Sequence, residues 1–224
     1  MKNLKPSMLI AFLIAAKSFS QDCEKSIFTQ KGASIQTTEY GAEKEIKNVT
    51  AVIVKSVKNT SGETVSQLQS IKTQDGTVIE DKTLTYICSS EKAVWGLGVE
   101  DVKTKKEAVV AYPKNMAQGQ DLKTNAAIAF QQTNEKGEKV KLNMKISNRK
   151  VSGSETISVK AGTWKCTKIT YDFELKLKLG FIGIPIQAKV TEWYNPEVGV
   201  VRTETRTKDK LEGYTEITAV KNGR

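Results

Sequence analysis

The sequence predicts an all-β protein: a single antiparallel meander of about a dozen strands, closed into a barrel or a strongly curled sheet. Three observations predict it. Apolar and polar residues alternate with period two, most cleanly where Val140, Leu142, Met144 and Ile146 interleave with Lys139, Lys141, Asn143 and Lys145. Turn signals recur at regular intervals, among them Asn59-Thr60-Ser61-Gly62, Asp75-Gly76, Asn134-Glu135-Lys136-Gly137, Ser152-Gly153, Ala161-Gly162 and Asn195-Pro196-Glu197-Val198-Gly199. The connections are short, which makes sequential strands antiparallel neighbours. A helical period is nowhere sustained over three turns.

The expected strands, in order, are Ser34–Tyr40, Thr50–Val57, Thr64–Lys72, Lys82–Cys88, Ala108–Tyr112 and Asn125–Gln131. Lys139–Asn148, Ser154–Lys160, Thr163–Leu179, Ile182–Tyr194, Val198–Thr207 and Glu212–Val220 follow. A helical turn or two is expected within Asp101–Val110. The longest hairpin, near 169–190, has one apolar face: Ile169, Tyr171, Phe173, Leu175, Leu177 and Leu179 going out, Ile182, Ile184, Ile186, Ala188 and Val190 returning. A ribbon of that length must twist and coil, which suits a barrel wall. With Gly180-Phe181 as the turn, Asp172 falls opposite Lys189 and Glu174 opposite Gln187. Trp164 and Cys166 lie on the other phase, so a bulge is expected near Thr167-Lys168.

The chain opens like a secretory signal. Lys2 and Lys5 precede the apolar run Met8–Ala16, and Ser18-Phe19-Ser20 places small residues before a cut at Gln21. Two units follow: a leader over 1–20 and one all-β domain over 21–224. No later stretch approaches ~18 consecutive apolar residues, so no transmembrane segment is expected in the mature chain. Lipidation at Cys23 is disfavoured, because Gln21 and the charged Asp22 precede it where small residues are needed. The expected address is outside the cytoplasm, periplasm or extracellular.

The net charge is +10, of which Lys2, Lys5 and Lys17 leave with the leader. The lysines are scattered, and the densest cluster, Lys103-Thr104-Lys105-Lys106, has Asp101 and Glu107 beside it. That spread solubilises strand faces and blunts sheet edges, and it does not make a nucleic-acid footprint. Histidine is absent, which removes Ser-His-Asp and Cys-His catalysis of the usual kind and most zinc sites. No cofactor or metal is expected. Of three cysteines, none has CxxC spacing. Three disulfide pairings are open; Cys23–Cys88 is the expected one, tying a loose N-terminus to a strand, with Cys166 a buried thiol.

Ligand-binding candidates are the aromatic and apolar residues near strand ends: Trp95, Trp193, Tyr194 and the hairpin tip Phe181-Ile182. Gly96-Leu97-Gly98 makes no phosphate loop, since no helix or lysine follows at the needed spacing. Asp172 and Glu174 share a face, and ladder pairing with neighbours accounts for them better than acid–base catalysis. Glu155, Glu192 and Glu197 complete the set of carboxylates weighed for glycoside hydrolysis. A lipid-facing membrane barrel is disfavoured, because many strands are polar on both faces and aromatics make up 7% of the chain, too few for girdles.

Four motifs carry a family resemblance. They are Tyr112-Pro113-Lys114-Asn115-Met116 with Gly119 and Leu122; Asn148-Arg149-Lys150-Val151 with Glu155, Ile157 and Val159; Ala161-Gly162-Thr163-Trp164-Lys165-Cys166; and Glu192-Trp193-Tyr194-Asn195-Pro196-Glu197-Val198-Gly199-Val200-Val201. Together they resemble the TapB-like family of exported Bacteroidota proteins of unknown function. The resemblance implies a curled antiparallel β fold and no established activity. The functional expectation is a non-enzymatic barrel that binds an apolar or lipid-like ligand in the cell envelope. The alternatives are an interaction protein without a small-molecule site and, behind it, a carboxylate-based hydrolase.

Overall fold

Twelve strands form one antiparallel sheet in a computed structural model, which describes residues 21–101, 106–122, 126–133, 139–179 and 182–223. The strands are β1 Ser34–Gly41, β2 Ile46–Thr60, β3 Glu63–Gln74, β4 Thr77–Ser89, β5 Lys92–Glu100 and β6 Glu107–Pro113. They continue as β7 Ala126–Thr133, β8 Lys139–Val159, β9 Gly162–Leu179, β10 Ile182–Asn195, β11 Gly199–Thr207 and β12 Lys210–Lys221. A short helix, α1 Gln21–Glu24, and a 3-10 turn, Ile27–Thr29, precede them. The leader, Phe181 and the side chain of Ile182 lie outside the described residues.

Every ladder joins strands consecutive in sequence except one. β1 pairs with β12, so the two ends of the domain meet in the middle of the sheet. The sheet's edges are therefore β6 and β7, which come into contact and make the barrel nearly closed. Tight turns set the ladders. Asp75 (φ 50°) and Gly76 (φ 79°) both take the left-handed conformation that a two-residue hairpin needs. Lys208 (φ 48°) and Asp209 (φ 65°) do the same between β11 and β12.

Three expectations need correction. The stretch around Gly96-Leu97-Gly98, which is outside the expected strands, is part of β5. Gly98 has φ 63° and donates its N–H to Glu107 Oε1 at 3.1 Å. A side chain at Gly96 would collide with that same carboxylate. Glycine is thus the residue that lets β5 bulge against β6. The helical turn expected over Asp101–Val110 gives way, among the described residues, to strand from Glu107 onward. The third concerns a bulge. β9 runs in unbroken register with β10 from Thr167 to Leu179. The irregularities fall on β8, between Ser147 and Lys150 and between Val151 and Gly153. There β8, expected as two strands, bends as one, helped by Asn148 at φ 55°. Beyond the bend it touches β11 and β12, to which it is not paired. Cys166 and Ile169 are both buried although they lie on opposite phases of one strand whose register with β10 is unbroken.

The register of the long hairpin is as expected: Lys189 faces Asp172 and Gln187 faces Glu174. Gln187 Nε2 donates to Glu174 at 2.9 Å and Lys176 pairs with the same carboxylate at 3.0 Å. Asn148 Nδ2 donates to Asp172 at 2.7 Å. These two acids are partners in a ladder.

The core has two packed groups. One gathers Phe28, Leu68, Tyr86, Cys166, Trp193 and Val201 with their neighbours. The other gathers Val110, Tyr112, Ile146, Ile169 and Tyr194. Trp95 packs against both.

Candidate functional site

The barrel holds a cavity of about 470 Å³. Strand alternation decides which side chains enter it and how wet each is. Along β4 the inward series Lys82, Leu84, Tyr86 goes from a side chain 29% exposed to 9% and then 1%. Along β3 the series Lys72, Ser70, Leu68 goes from 31% to 4% to 0%. The cavity therefore opens at the end holding the β1–β2 and β3–β4 turns and closes at the other. Its lining changes with depth: Thr37, Thr50, Lys72, Glu80 and Lys82 stand at the mouth, and Ile35, Val52, Leu84, Trp95 and Val110 lie further in, with Tyr112, Tyr171 and Glu192 completing the lining.

The closed end is plugged by the N-terminal segment. Phe28 lies edge-on to Trp95 with ring centroids 4.3 Å apart, and 5.4 Å from Tyr86. Ser26 Oγ and the Tyr86 hydroxyl share a buried hydrogen bond of 3.0 Å. Ile27 N–H donates to the Glu197 carbonyl at 2.9 Å. A disulfide, Cys23–Cys88, fastens the plug to β4. Cys166 is free, and burial pushes its thiol up to about 11.

Deep in the wall sits a polar cluster that sequence reasoning did not assemble. Glu192, on β10, accepts from the Tyr171 hydroxyl at 2.8 Å on one oxygen and from the Tyr112 hydroxyl at 3.1 Å on the other. Arg149, 2% exposed, approaches the second oxygen at 3.7 Å. The same guanidinium donates to the Ala111 carbonyl at 2.6 Å and lies 4.4 Å over the Tyr112 ring. Tyr194 stacks on Tyr112 at 4.1 Å. The cluster joins β6, β8, β9 and β10 across the gap where the barrel does not close by backbone pairing. Asp101 adds a second tie there, accepting the Ala129 N–H at 3.2 Å. The β6–β7 connection is laced to β8 by Gly119 N–H to Val151 O and Leu122 N–H to Arg149 O.

Both oxygens of Glu192 accept phenol hydrogen bonds, which ties β10 to β6 and β9 beside the cavity. The phenols are donors because they stay protonated: burial first, then the Glu192 charge, raises Tyr112 and Tyr171 well above the ordinary tyrosine value. Burial also raises Tyr86 and Tyr194. The sign for stability follows. Unfolded phenols ionise near pH 10 while these do not, so their contribution is intact below ~10 and is lost as pH rises past it. Absorbance at 295 nm during alkaline titration should show these four ionising together with loss of the β circular-dichroism signal. Four ionisations completed on the intact fold would contradict the burial.

Of the ligand candidates Trp95, Trp193 and Tyr194, which the structure describes, Trp95 alone lines the cavity. Trp193 is buried elsewhere, donating Nε1–H to Glu155 at 2.7 Å with Lys168 Nζ 5.4 Å over its ring. Tyr194 packs behind Tyr112. Phe181 and the Ile182 side chain are outside the described residues. The missed residues carried a signal nonetheless: Tyr112, Arg149 and Glu192 each fall within one of the motifs quoted for the family resemblance.

Among the described residues, no helix is long and apolar enough to cross a membrane. A protein-family model described as DUF3108-like matches residues 30–217. The fold is similar to a solved structure from Bacteroides fragilis NCTC 9343, described as an exported protein with YmcC-like fold. Its TM-score is 0.72 at 19% identity, covering 87% of this chain and 97% of that one. A second, described as a lipoprotein from Parabacteroides distasonis ATCC 8503, has a TM-score of 0.72 at 22% identity, covering 86% and 96%. Such identities establish the shared fold. No curated protein matches the chain.

Proposed function

The chain belongs to the DUF3108-like family, and from that premise we propose that it is an exported, non-enzymatic barrel that holds an apolar or amphipathic molecule. Within the family we place it beside the TapB-like exported proteins, on the four motifs quoted above. Export is supported by the leader-like residues 1–20 and by the Cys23–Cys88 disulfide, a bond suited to an oxidising compartment. The Cys23 sulfur is engaged in that bond and so is not available for a thioether lipid anchor.

The observation that carries the reading is the cavity. Its volume of about 470 Å³ lies in the range of small-molecule sites. Its mouth is polar, with Thr37, Thr50, Lys72, Glu80 and Lys82, and its deeper lining is mostly apolar, with Ile35, Val52, Leu84, Trp95 and Val110. A molecule with an apolar body and a polar end matches that division. Burying the body against Trp95, Leu97 and Val110 would supply the affinity.

Titration with the apolar dye N-phenyl-1-naphthylamine tests this. The wild-type chain should bind one dye, with energy transfer from Trp95. Val52, on the cavity wall, replaced by tryptophan should fill the space and weaken binding by about tenfold or more. No binding, or equal binding by Val52→Trp, contradicts the reading.

A further inference from the structure

We propose that the closed end of the barrel carries a second binding site, separate from the container cavity. It takes a neutral, ring-sized molecule with a hydrogen-bond acceptor, to which the Tyr194 hydroxyl donates. The site is a pocket of about 300 Å³ between the plug, the β6–β7 connection and the β10–β11 turn. The plug borders both spaces: Phe28 lines the cavity and Lys25 lines the pocket. Tyr112 lines both.

An orphan hydroxyl carries the inference. Tyr86 shares its hydroxyl with Ser26, and Tyr112 and Tyr171 give theirs to Glu192. Tyr194 is 4% exposed, and among the described residues its hydroxyl has no partner. It is not sealed into the protein as the unpaired Ser66 Oγ is, and its side chain lines the pocket. A buried polar group without a partner costs stability until something completes it. Water can do so, and a ligand acceptor that replaces the water keeps the bond and gains the apolar walls. Burial keeps the phenol protonated, so it is the donor.

The lining sets the ligand's shape and charge. Tyr86, Tyr112, Pro113, Met116, Tyr194 and Pro196 present ring, proline and thioether surfaces, which suit a flat apolar ring. The volume lies at the lower end of small-molecule sites, room for a ring and not for a long chain. The charged residues are of both signs. Lys25 and Glu197 are exposed, where water and salt screen them, and Lys114 is already engaged. No charge of one sign is left deep in the pocket, so the ligand is neutral. Two motifs quoted for the family resemblance converge here: Tyr112-Pro113-Lys114 with Met116, and Tyr194 with Pro196-Glu197.

NMR titration of the Met116 methyl with acetophenone, and with α-methylstyrene as the isostere lacking the carbonyl oxygen, tests this. Acetophenone should shift the methyl saturably, in the wild-type chain and equally in Val52→Trp, whose container cavity is filled. Y194F should weaken acetophenone about fivefold, the scale of one net hydrogen bond, and leave α-methylstyrene unchanged. It should also keep the wild-type unfolding midpoint, since the hydroxyl bonds nothing in the protein. No saturable shift in the wild-type chain, or a shift absent from Val52→Trp, overturns the inference. So does a Y194F variant that binds acetophenone as the wild type does or loses both ligands equally, and so does tighter binding of benzoate or benzylammonium. None of these results touches the container reading, which the dye tests.

Discussion

Replacing Arg149 by methionine is expected to cost about 3–5 kcal/mol of folding stability, the scale for removing one partner of a buried ion pair. Three losses coincide. The buried Glu192 loses the guanidinium 3.7 Å away. The Ala111 carbonyl loses its 2.6 Å donor. The side-chain tie between β6 and β8 is cut at the seam where backbone pairing is missing. Urea unfolding followed by circular dichroism measures it, as a lower midpoint at unchanged slope. The double variant R149M/E192Q should recover part of the loss, because the uncompensated charge is gone. A cost under about 1 kcal/mol for Arg149→Met would show that the pair is exposed to water or replaceable.

The second large effect is at the plug. Cys23→Ala with Cys88→Ala should destabilise the chain by about 4 kcal/mol, from the freedom regained by an unfolded chain no longer closed over a sequence separation of 65. The effect should also be local. Without the bond, the plug keeps the Ser26 hydroxyl contact to Tyr86, the Phe28 ring contacts to Tyr86 and Trp95, and the Ile27 N–H bond to the Glu197 carbonyl. Trp95 emission should shift to the red in the variant before global unfolding. An unchanged midpoint and unchanged emission would mean that packing alone seats the plug.

Much of the architecture is legible in the sequence because a half-buried strand writes its period directly. The alternation at Val140–Ile146 and Ile169–Leu175 and the pairing of Glu174 with Gln187 follow from period and turn position alone. The Cys23–Cys88 bond was one of three open pairings, favoured because it ties the N-terminus to a strand. The failures have physical causes. Gly96 and Gly98 interrupt the alternation that marks a strand, yet here they make room for the Glu107 carboxylate inside a ladder. Asn148–Gly153 mimics a strand break, yet here one strand bends. The irregularity expected near Thr167-Lys168 falls on β8 at Val151–Gly153, because phase within β9 says nothing about irregularity in its partner.

The cavity wall was harder still. Tyr112 and Glu192 are 80 residues apart and meet only because the sheet closes. Closure itself depends on β1 pairing with β12, which leaves the seam between β6 and β7, two strands adjacent in sequence. No local pattern encodes that. The single-residue hints were Tyr112, Arg149 and Glu192 inside motifs whose neighbours look like ordinary strand ends.

The central claim is that the barrel is a filled container in its own setting. Native mass spectrometry of the chain purified from its own cell envelope, before and after organic extraction, tests it most directly. The expected result is the chain plus one small organic molecule before extraction and the bare chain after it, with the adduct absent from Val52→Trp. The bare polypeptide mass before extraction, from chain that keeps its β circular dichroism, would contradict it.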